Sequence, residues 1–440
     1  MKIGWFTPFS DRSAIGRFSR DVAVELAKSS ELEVCCFDRG PIHEVEIPLR
    51  RFESAARVTQ ADLAKYDVVF YNFGNHFPFH GEIYLVSQQW PGIAILHDFV
   101  LHHFFAEYYM KHLKNSGAYV EAMARVYGRE GEKKARESVS GAARVWETDS
   151  VVSFPLFEPV LEGSLGVIVH SDFLLDKVAS AFAGPARKIP LAYSVDTNQE
   201  ILTRAALGVS PQRALFVTIG HVNPNKRIMA VLDALRRIPS TRERIEYVIV
   251  GACDPAYRRQ LEAAIEKIGL TGVVRLTGEV PGRVLRSYLA HADVCINLRF
   301  PAMEGASASA IEEMLYGKPL IVTNVGFYRE LPDSGVIKIE PGAESQLAQV
   351  LERLLLNPAE RESMGQASRD YAERQFRADS YAAASIKFAI EVRRARPLLD
   401  LADHIGVEFR RMGVTSAMPV VDSIAAELHS TFCKRPPDIS

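Results

Sequence analysis

The 440-residue sequence has little imbalance of charge, few cysteines and no long hydrophobic run. Its 52 basic and 54 acidic residues leave a formal net charge of -2, which argues against a general nucleic-acid-binding protein. The five cysteines form no C-x-x-C pair, so neither a disulfide framework nor a zinc site is expected, and a reducing compartment fits. No apolar stretch is long enough to cross a bilayer. The first residues have the pattern of a β-strand and not that of a signal peptide. We expect a cytoplasmic protein, and peripheral contact with the inner face of the cell membrane stays open.

Short apolar runs alternate with helical patterns, which is typical of parallel α/β units. In the first half, the pattern predicts strands at Ile3–Phe6, Glu33–Phe37, Val68–Asn72, Ile93–Leu96 and Gly166–His170. In the second half, it predicts strands at Ala214–Ile219, Glu246–Val250, Val273–Leu276, Val294–Leu298, Leu320–Thr323 and Val336–Ile339. The chain is therefore predicted to form two doubly wound sheets, one after the other.

Helical patterns lie between these strands and in two longer segments. The predicted helices are Phe18–Lys28, Met229–Arg237, Arg258–Ile268, Pro281–Ala290 and Glu344–Leu355. Residues 104–159 read as a helical insertion, whose aromatic pairs are interpreted as core, with an acceptor-binding or membrane-touching flap as the alternative. Residues 397–440 read as a docked helical extension with a frayed end at Lys434–Pro437.

Two carboxylates stand out in the stretch Arg299–Pro319. Glu304 and Glu312 are separated by seven residues across a loop-to-helix junction rich in small side chains. A helix N-terminus offers free N–H groups and partial positive charge, which suit a phosphate, and the carboxylates could bind the hydroxyls of a sugar and a ribose. The alternative is structural, because Ser309-x-x-Glu312 also fits a capping box that only secures the start of the helix.

The segment Asn297–Pro332 resembles the E-x7-E signature of the family 4 retaining nucleotide-sugar glycosyltransferases. The resemblance implies the α/β GT-B fold: two Rossmann-like doubly wound domains that face each other across a cleft, with a C-terminal crossing helix and a helical tail. It divides the chain into an acceptor-side domain (1–195), a nucleotide-sugar-binding domain (196–379) and a crossing helix with extension (380–440). Ser380–Arg394 is the candidate crossing helix. The boundary segment Ile189–Asp196 resembles the family's P-x-G-V-D.

A second block, Gly220–Arg227, resembles the family's G-R-x-x-x-x-K motif, which holds the donor diphosphate. Gly220 and Lys226 match the motif, and His221 stands in the place of its arginine. Either Arg227 substitutes for that arginine, or Lys226 and backbone amides hold the phosphates without it. The sequence contains no D-x-D, the metal-holding motif of the other common glycosyltransferase fold. The resemblance therefore implies a metal-independent reaction without a cofactor.

Blocks in the first half resemble the family more weakly. Gly16 lies in a strand-to-helix loop similar to the family's glycine-rich loop. His97, before an aspartate at the end of a predicted strand, matches a histidine that lies near the donor sugar in the family. His102 and His103 follow closely, but their spacing and the lack of a completing carboxylate or cysteine argue against a metal cluster. His170 matches the family's H-S and is interpreted as structural or cleft-lining.

The resemblance implies a role for each matched residue. Glu304 would bind sugar hydroxyls, Glu312 would bind the ribose, and Lys226 would neutralise the departing diphosphate. The predicted catalytic residues are Glu304, Lys226 and His97. The predicted donor-binding residues are Gly16, Gly220, His221, Arg227, Gly278, Gly305, Ala306, Ser307 and Glu312. No protein nucleophile is implied.

The function predicted from the resemblance is transfer of a sugar from a nucleotide-diphosphate sugar to a hydroxyl of a glycan, lipid-linked or protein-linked acceptor. Two alternatives share the fold. A nucleotide-sugar 2-epimerase would need no acceptor, and a non-catalytic partner subunit would need no turnover. The departures at His221 and at the glycine-rich loop favour the second alternative, whereas the joint presence of Glu304, Glu312 and Lys226 argues against it. The sugar, the nucleotide and the oligomeric state are left open.

Overall fold

The computed structural model contains two parallel β-sheets that follow one another along the chain. It describes residues 1–195, 200–238, 241–414, 418–421, 423–424 and 427. Asp196 of the boundary segment and the predicted frayed end at Lys434–Pro437 lie outside the described residues.

The first sheet has seven parallel strands in the order β3-β2-β1-β4-β5-β6-β7. The strands are β1 (Lys2–Phe6), β2 (Glu31–Cys36), β3 (Leu49–Arg51), β4 (Val68–Phe73), β5 (Gly92–Leu96), β6 (Ser164–Val169) and β7 (Ala186–Lys188). The apolar-run pattern found five of them. It missed β3 and β7 because these are edge strands of three residues each, Leu-Arg-Arg and Ala-Arg-Lys, without an apolar run.

The second sheet has six parallel strands in the order β10-β9-β8-β11-β12-β13. The strands are β8 (Ala214–Ile219), β9 (Ile245–Val250), β10 (Val274–Gly278), β11 (Val294–Asn297), β12 (Leu320–Thr323) and β13 (Val336–Ile339). All six were predicted from their apolar runs, and their ends agree to within two residues. The prediction of two doubly wound sheets is confirmed.

Helices flank both sheets. Those of the first half are α1 (Ala14–Ala27), α2 (Gln60–Ala64), α3 (Phe77–Gln89), α4 (His102–Glu107), α5 (Ser116–Val139), α6 (Glu158–Leu161) and α7 (Asp172–Ala179). Those that follow are α8 (Ile228–Arg237), α9 (Thr241–Arg244), α10 (Pro255–Lys267), α11 (Gly282–His291), α12 (Ala308–Leu315), α13 (Leu347–Leu356), α14 (Pro358–Gln375) and α15 (Ala378–Arg411). No helix in the described part of the chain is both long and apolar enough to span a membrane.

Helix α1 begins one turn before its predicted start at Phe18. Ser13 is its N-cap, and the Ser13 hydroxyl accepts a hydrogen bond from the N–H of Gly16 at 3.2 Å. A Cβ on Gly16 would lie 2.4 Å from the carbonyl oxygen of Ser10. Gly16 therefore allows the loop after β1 to fold tightly against the start of the helix.

Helix α15 crosses back onto the first sheet, as the resemblance implied. A side chain at Gly166 of β6 would collide with Val392 at 2.6 Å, so this glycine admits the helix. Tyr381 of the helix packs edge-on against Phe18 of α1. The helix continues to Arg411, beyond the predicted end at Arg394.

The segment between β5 and β6 contains α4, α5 and α6, and its aromatic residues belong to the core. Phe104 and Phe105 are buried beside Tyr84 of α3. His102 is buried as well: one ring nitrogen bonds the carbonyl of Phe154, and the other bonds the hydroxyl of Tyr119 at 2.7 Å. His102 is thus a neutral core histidine that supports the insertion.

Because His102 is buried, we expect the folded protein to lose stability in acid. Burial lowers the pKa of His102 to about 4. The unfolded chain therefore takes up a proton as the pH falls below the ordinary value of about 6.5, while the folded protein does so only near 4. The amide of the His102→Gln variant can keep both hydrogen bonds but does not titrate. We expect the drop in unfolding free energy from pH 7 to pH 5 to be about 2 kcal/mol smaller in this variant than in the wild type.

Urea unfolding at the two pH values measures this difference. His112→Gln is the matched control, since it replaces an exposed histidine of the same segment between β5 and β6. It should retain the wild-type loss. Equal losses of unfolding free energy in the wild type and in His102→Gln would show that His102 takes up a proton in the folded protein as readily as in the unfolded chain.

Candidate active site

The loop after β11 reaches across from the second half of the molecule to the end of β5 in the first. The carbonyl of Met303 accepts hydrogen bonds from the N–H groups of Phe99 and Val100, both at 2.9 Å. Two residues further on, the N–H of Gly305 donates to the carbonyl of His97 at 2.9 Å. The carboxyl ends of parallel strands are where α/β proteins display functional groups. Glu304 is therefore held at the junction of the two sheets.

Gly305 is required by this close approach. A Cβ at this position would lie 2.8 Å from the Leu174 side chain and 2.9 Å from the His97 carbonyl oxygen. The Gly305 carbonyl also accepts a hydrogen bond from the Ser171 hydroxyl at 2.6 Å. The amide of Gly305, predicted to face the donor, thus has a protein partner in this arrangement.

The carboxylate of Glu304 is mostly buried and accepts three hydrogen bonds. It accepts hydrogen bonds from Arg299 Nε at 3.1 Å, from the Tyr328 hydroxyl at 2.5 Å and from the N–H of Met303 at 3.1 Å. Burial acts to raise the pKa of Glu304, but the Arg299 guanidinium and the Tyr328 hydroxyl outweigh burial, and the pKa lies below its ordinary value. Glu304 is therefore a charged acceptor at neutral pH.

Lys226 lies near this carboxylate and is only 1% exposed. Its ammonium group donates to the carbonyl of Ile219 at the end of β8. Burial and the nearby Arg299 guanidinium lower the pKa of Lys226 to about 7, against the opposing charges of Glu313 and Glu304. The predicted catalytic residues Lys226 and Glu304 thus belong to one electrostatic cluster.

Glu313 completes the cluster, and the sequence reading overlooked it. It is completely buried, and Asn297 donates to its Oε2 at 2.8 Å, while its Oε1 has no hydrogen-bond partner among the described residues. Burial raises the pKa of Glu313 to about 8 despite the proximity of Lys226. The feature of the sequence that could have pointed to Glu313 is its position directly after Glu312, on a helix with apolar residues on either side.

Glu312 lies more than one turn into α12. The N-cap of this helix is Ser307, whose hydroxyl accepts from the N–H of Ala310 at 3.3 Å. The alternative that Ser309 and Glu312 form a capping box is therefore wrong. Glu312 instead faces a cavity of about 230 Å³ between α1 and α11, which Tyr193 also lines.

A second cavity, of about 350 Å³, lies between the start of α12 and the first sheet. Its lining combines residues of both halves, including Arg12, Asn75, His97, Asp98, Tyr193 and Ala306. Asp98 is largely buried, and burial, together with the charge of Glu304, raises its pKa to about 7. The cavity therefore offers a positive group, a carboxyl that is partly protonated at neutral pH, and amide groups to a polar ligand.

His97 is held in a chain of hydrogen bonds. Its Nε2 lies 2.9 Å from the Asn72 Oδ1, and its Nδ1 lies 3.2 Å from the Nε2 of His170. The other ring nitrogen of His170 lies 3.0 Å from the carbonyl of Ile189. Burial lowers the pKa of His97 well below its ordinary value. His97 thus lines the larger cavity as an oriented, neutral side chain.

The other predicted donor-binding residues are not in the Glu304 cluster. His221 is exposed, and Arg227 forms an ion pair with Glu344 at 2.9 Å. Gly220 and Gly278 both adopt positive φ angles, +91° and +75°, in the turns after β8 and β10. These turns need glycine, because other residues rarely adopt that conformation.

Among the described residues, no group of three or more His, Cys, Asp or Glu side chains could hold a metal ion. His103, which was considered together with His97 and His102, instead hydrogen-bonds the Asn75 side chain at 3.0 Å.

Comparison with known proteins connects this site to a family. Residues 200–371 match the family model of group 1 glycosyl transferases, and this range contains Lys226, Glu304 and Glu312. The chain is 27% identical over 183 residues to the lipopolysaccharide glucosyltransferase WaaG of Escherichia coli, an alignment that covers 40% of this chain and 47% of WaaG. The chain thus matches only about half the length of this relative. These similarities support a group 1 glycosyltransferase.

Two further relatives extend over more of the chain. The D-inositol 3-phosphate glycosyltransferase of Frankia alni is 24% identical over 365 residues, which cover 78% of this chain and 81% of that protein. The crystal structure of Anabaena Alr3699/HepE in complex with UDP aligns with a TM-score of 0.61 at 16% identity, covering 88% of this chain and 99% of that one. The predicted GT-B arrangement of two doubly wound sheets with a crossing helix is confirmed.

Proposed function

We propose that this protein is a retaining glycosyltransferase that moves a sugar from a nucleotide-diphosphate sugar to an acceptor hydroxyl without a metal. The observation that carries the proposal is the position of Glu304. This charged carboxylate is fixed at the junction of the two sheets, next to a cavity lined from both halves. A donor bound to one half and an acceptor bound to the other would meet at this point.

The two cavities suggest how the donor lies. Glu312 would bind the ribose in the smaller cavity, and the sugar would extend into the larger cavity towards His97 and Glu304. Ala306 and the N-cap Ser307 lie between these positions, at the start of α12, where the helix dipole favours phosphate. Lys226 would counter the negative charge of the diphosphate.

The proposed chemistry is a front-face displacement. The bond between the anomeric carbon and the diphosphate oxygen breaks, and the acceptor oxygen forms the new bond on the same face. The departing phosphate takes the acceptor proton. Lys226 and the helix N-terminus stabilise the charge that develops on the phosphate, so no protein nucleophile is needed.

The relatives suggest which substrates to try. WaaG is named as a lipopolysaccharide glucosyltransferase, and HepE was crystallised with UDP. We therefore propose UDP-sugars as the first donors to test, followed by GDP-sugars. Glycans and lipid-linked glycans are the first acceptors, presented to the protein in the cytoplasm or at the inner membrane face.

A thermal-shift screen of UDP, GDP, ADP and TDP, each with and without EDTA, tests the proposal. We expect one nucleotide family to stabilise the protein, and EDTA to leave the shift unchanged. A ligand at about a hundred times its dissociation constant contributes roughly 2.7 kcal/mol, which a melting curve detects. Conversion of the donor without an acceptor would indicate an epimerase, and no shift with any nucleotide would contradict donor binding.

The same thermal-shift experiment with the Lys226→Met variant tests the role of the lysine. The uncharged side chain still fits beside Glu313, whose pKa is already raised by burial. We expect a much smaller shift with the nucleoside diphosphate and an unchanged shift with the bare nucleoside, because the lysine charge faces phosphate. Equal losses with both ligands would refute that role for Lys226.

A further inference from the structure

The smaller cavity is lined by charged side chains from both halves of the molecule. Arg17, Arg20 and Asp21 come from α1 in the first half. Arg286 comes from α11 and Glu312 from α12, both in the second half. The smaller cavity shares three lining residues with the larger one: Phe18, Ala192 and Tyr193. A ligand in the smaller cavity would therefore contact both halves and lie beside the place proposed for the sugar.

Two arginines of this cavity are left without a partner. Arg20 is paired with Asp21 at 2.5 Å, so these two charges neutralise each other. The side chains of Arg17 and Arg286 form no hydrogen bond or ion pair with any residue that the structure describes, and the Nε of Arg286 is buried without an acceptor. Among the described residues of the lining, only the carboxylate of Glu312 opposes these two positive charges. The lining thus has an excess of positive charge, which a bound anion would neutralise.

The donor diphosphate needs more positive charge than the block Gly220–Arg227 offers. His221, which stands in the place of the motif's arginine, is exposed and lines neither cavity. Arg227, the possible substitute, is paired with Glu344 at 2.9 Å. Lys226 is buried, and its pKa of about 7 leaves it only partly charged at neutral pH. We therefore expect an arginine from another part of the chain to hold the phosphates.

We propose that Arg17 and Arg286 bind the phosphates of the donor and take the place of the arginine that the motif lacks. The inference rests on the proposed function. A guanidinium presents its N–H donors in a planar fork that matches phosphate oxygens, and it stays charged at physiological pH. Glu312, in the same cavity, accepts the hydroxyls of the adjoining ribose. Because one arginine belongs to each half, the diphosphate is held from both sides of the cleft.

Arg17→Gln and Arg286→Gln test this role one arginine at a time. We expect each variant to bind the nucleoside diphosphate roughly tenfold more weakly or worse, because a hydrogen bond between two charged groups is lost. Binding of the bare nucleoside should stay close to that of the wild type, since the nucleoside has no phosphate. Isothermal titration calorimetry with UDP and uridine, or with the matching pair for the diphosphate that stabilises the wild type, measures both affinities.

Arg283→Gln is the matched control. Arg283 lies one turn before Arg286 on α11, is exposed and pairs with Glu200 at 2.5 Å. It lines neither cavity, so its replacement should leave both affinities unchanged.

The outcomes separate this inference from the proposed function. Normal diphosphate binding by Arg17→Gln and Arg286→Gln, together with binding by the wild type, overturns this inference alone. Equal losses for the diphosphate and the nucleoside also overturn it, because the arginines would then hold the nucleoside or the local structure. A loss caused by His221→Gln instead would return the role to the histidine. Absence of binding by the wild type and every variant overturns the proposed function as well.

Discussion

Glu304→Gln should reduce turnover by about two to three orders of magnitude and leave nucleotide-diphosphate affinity within about threefold of the wild type. The carboxylate is charged because Arg299 and Tyr328 hold its pKa below the ordinary value. A neutral amide keeps the hydrogen bond from Arg299 but accepts sugar hydroxyls less strongly in the transition state. Steady-state release of nucleotide diphosphate and calorimetric binding separate the two quantities.

Glu246→Gln is the matched control for this substitution. Glu246 is a nearly buried carboxylate that accepts from Arg275 at 3.2 Å, but it lines neither cavity. Its replacement should leave both turnover and affinity close to wild type. If Glu304→Gln lost affinity as strongly as turnover, Glu304 would be holding the nucleotide or the local structure instead of the sugar.

Arg299→Met should destabilise the folded protein by about 3 to 5 kcal/mol, the usual cost of leaving one partner of a buried ion pair alone. Arg299 and Glu304 are both mostly buried and lie 3.1 Å apart. Without the guanidinium, burial would dominate, and the pKa of Glu304 would rise. Urea unfolding at pH 7 measures the loss of unfolding free energy.

The double variant Arg299→Met with Glu304→Gln distinguishes a pair effect from a simple packing effect. Removal of both charges should recover part of the lost stability, because no unpaired buried charge remains. If the two losses simply add, the ion pair is not what stabilises this junction. In that case, Tyr328 and the Met303 N–H would be the partners that keep Glu304 in place.

Much of the fold could be predicted because the central strands of both sheets are buried on both faces. Such strands appear as continuous apolar runs, and Ala214–Ile219 was predicted to the residue. The edge strands at Leu49–Arg51 and Ala186–Lys188 carry arginine and lysine, so no run marks them. The extra turn at the start of α1 depends on the Ser13 cap, which the apolar period alone does not reveal.

The candidate site was only partly predictable for a different reason. Glu304 and Lys226 could be singled out because their local patterns resemble known motifs. Glu313 and Tyr193 could not, since their importance comes from neighbours distant in sequence. Glu313 matters through its proximity to Lys226, and Tyr193 through the cavity that it lines together with Glu312. Sequence spacing does not encode such contacts between separate segments.

The backbone bonds that join Met303 and Gly305 to the end of β5 have a consequence for how often the cleft is open. These three hydrogen bonds bridge the two halves, and each contributes about 1 kcal/mol net. The free energy of a form without them is therefore roughly 3 kcal/mol higher. Fewer than about one molecule in a hundred would then be open at any moment. These three bonds involve only backbone atoms, but the Ser171 hydroxyl and the Glu330 carboxylate also bridge the two halves, so substitutions at these two side chains would raise the open population. The rate at which ligands enter and leave would depend on that population.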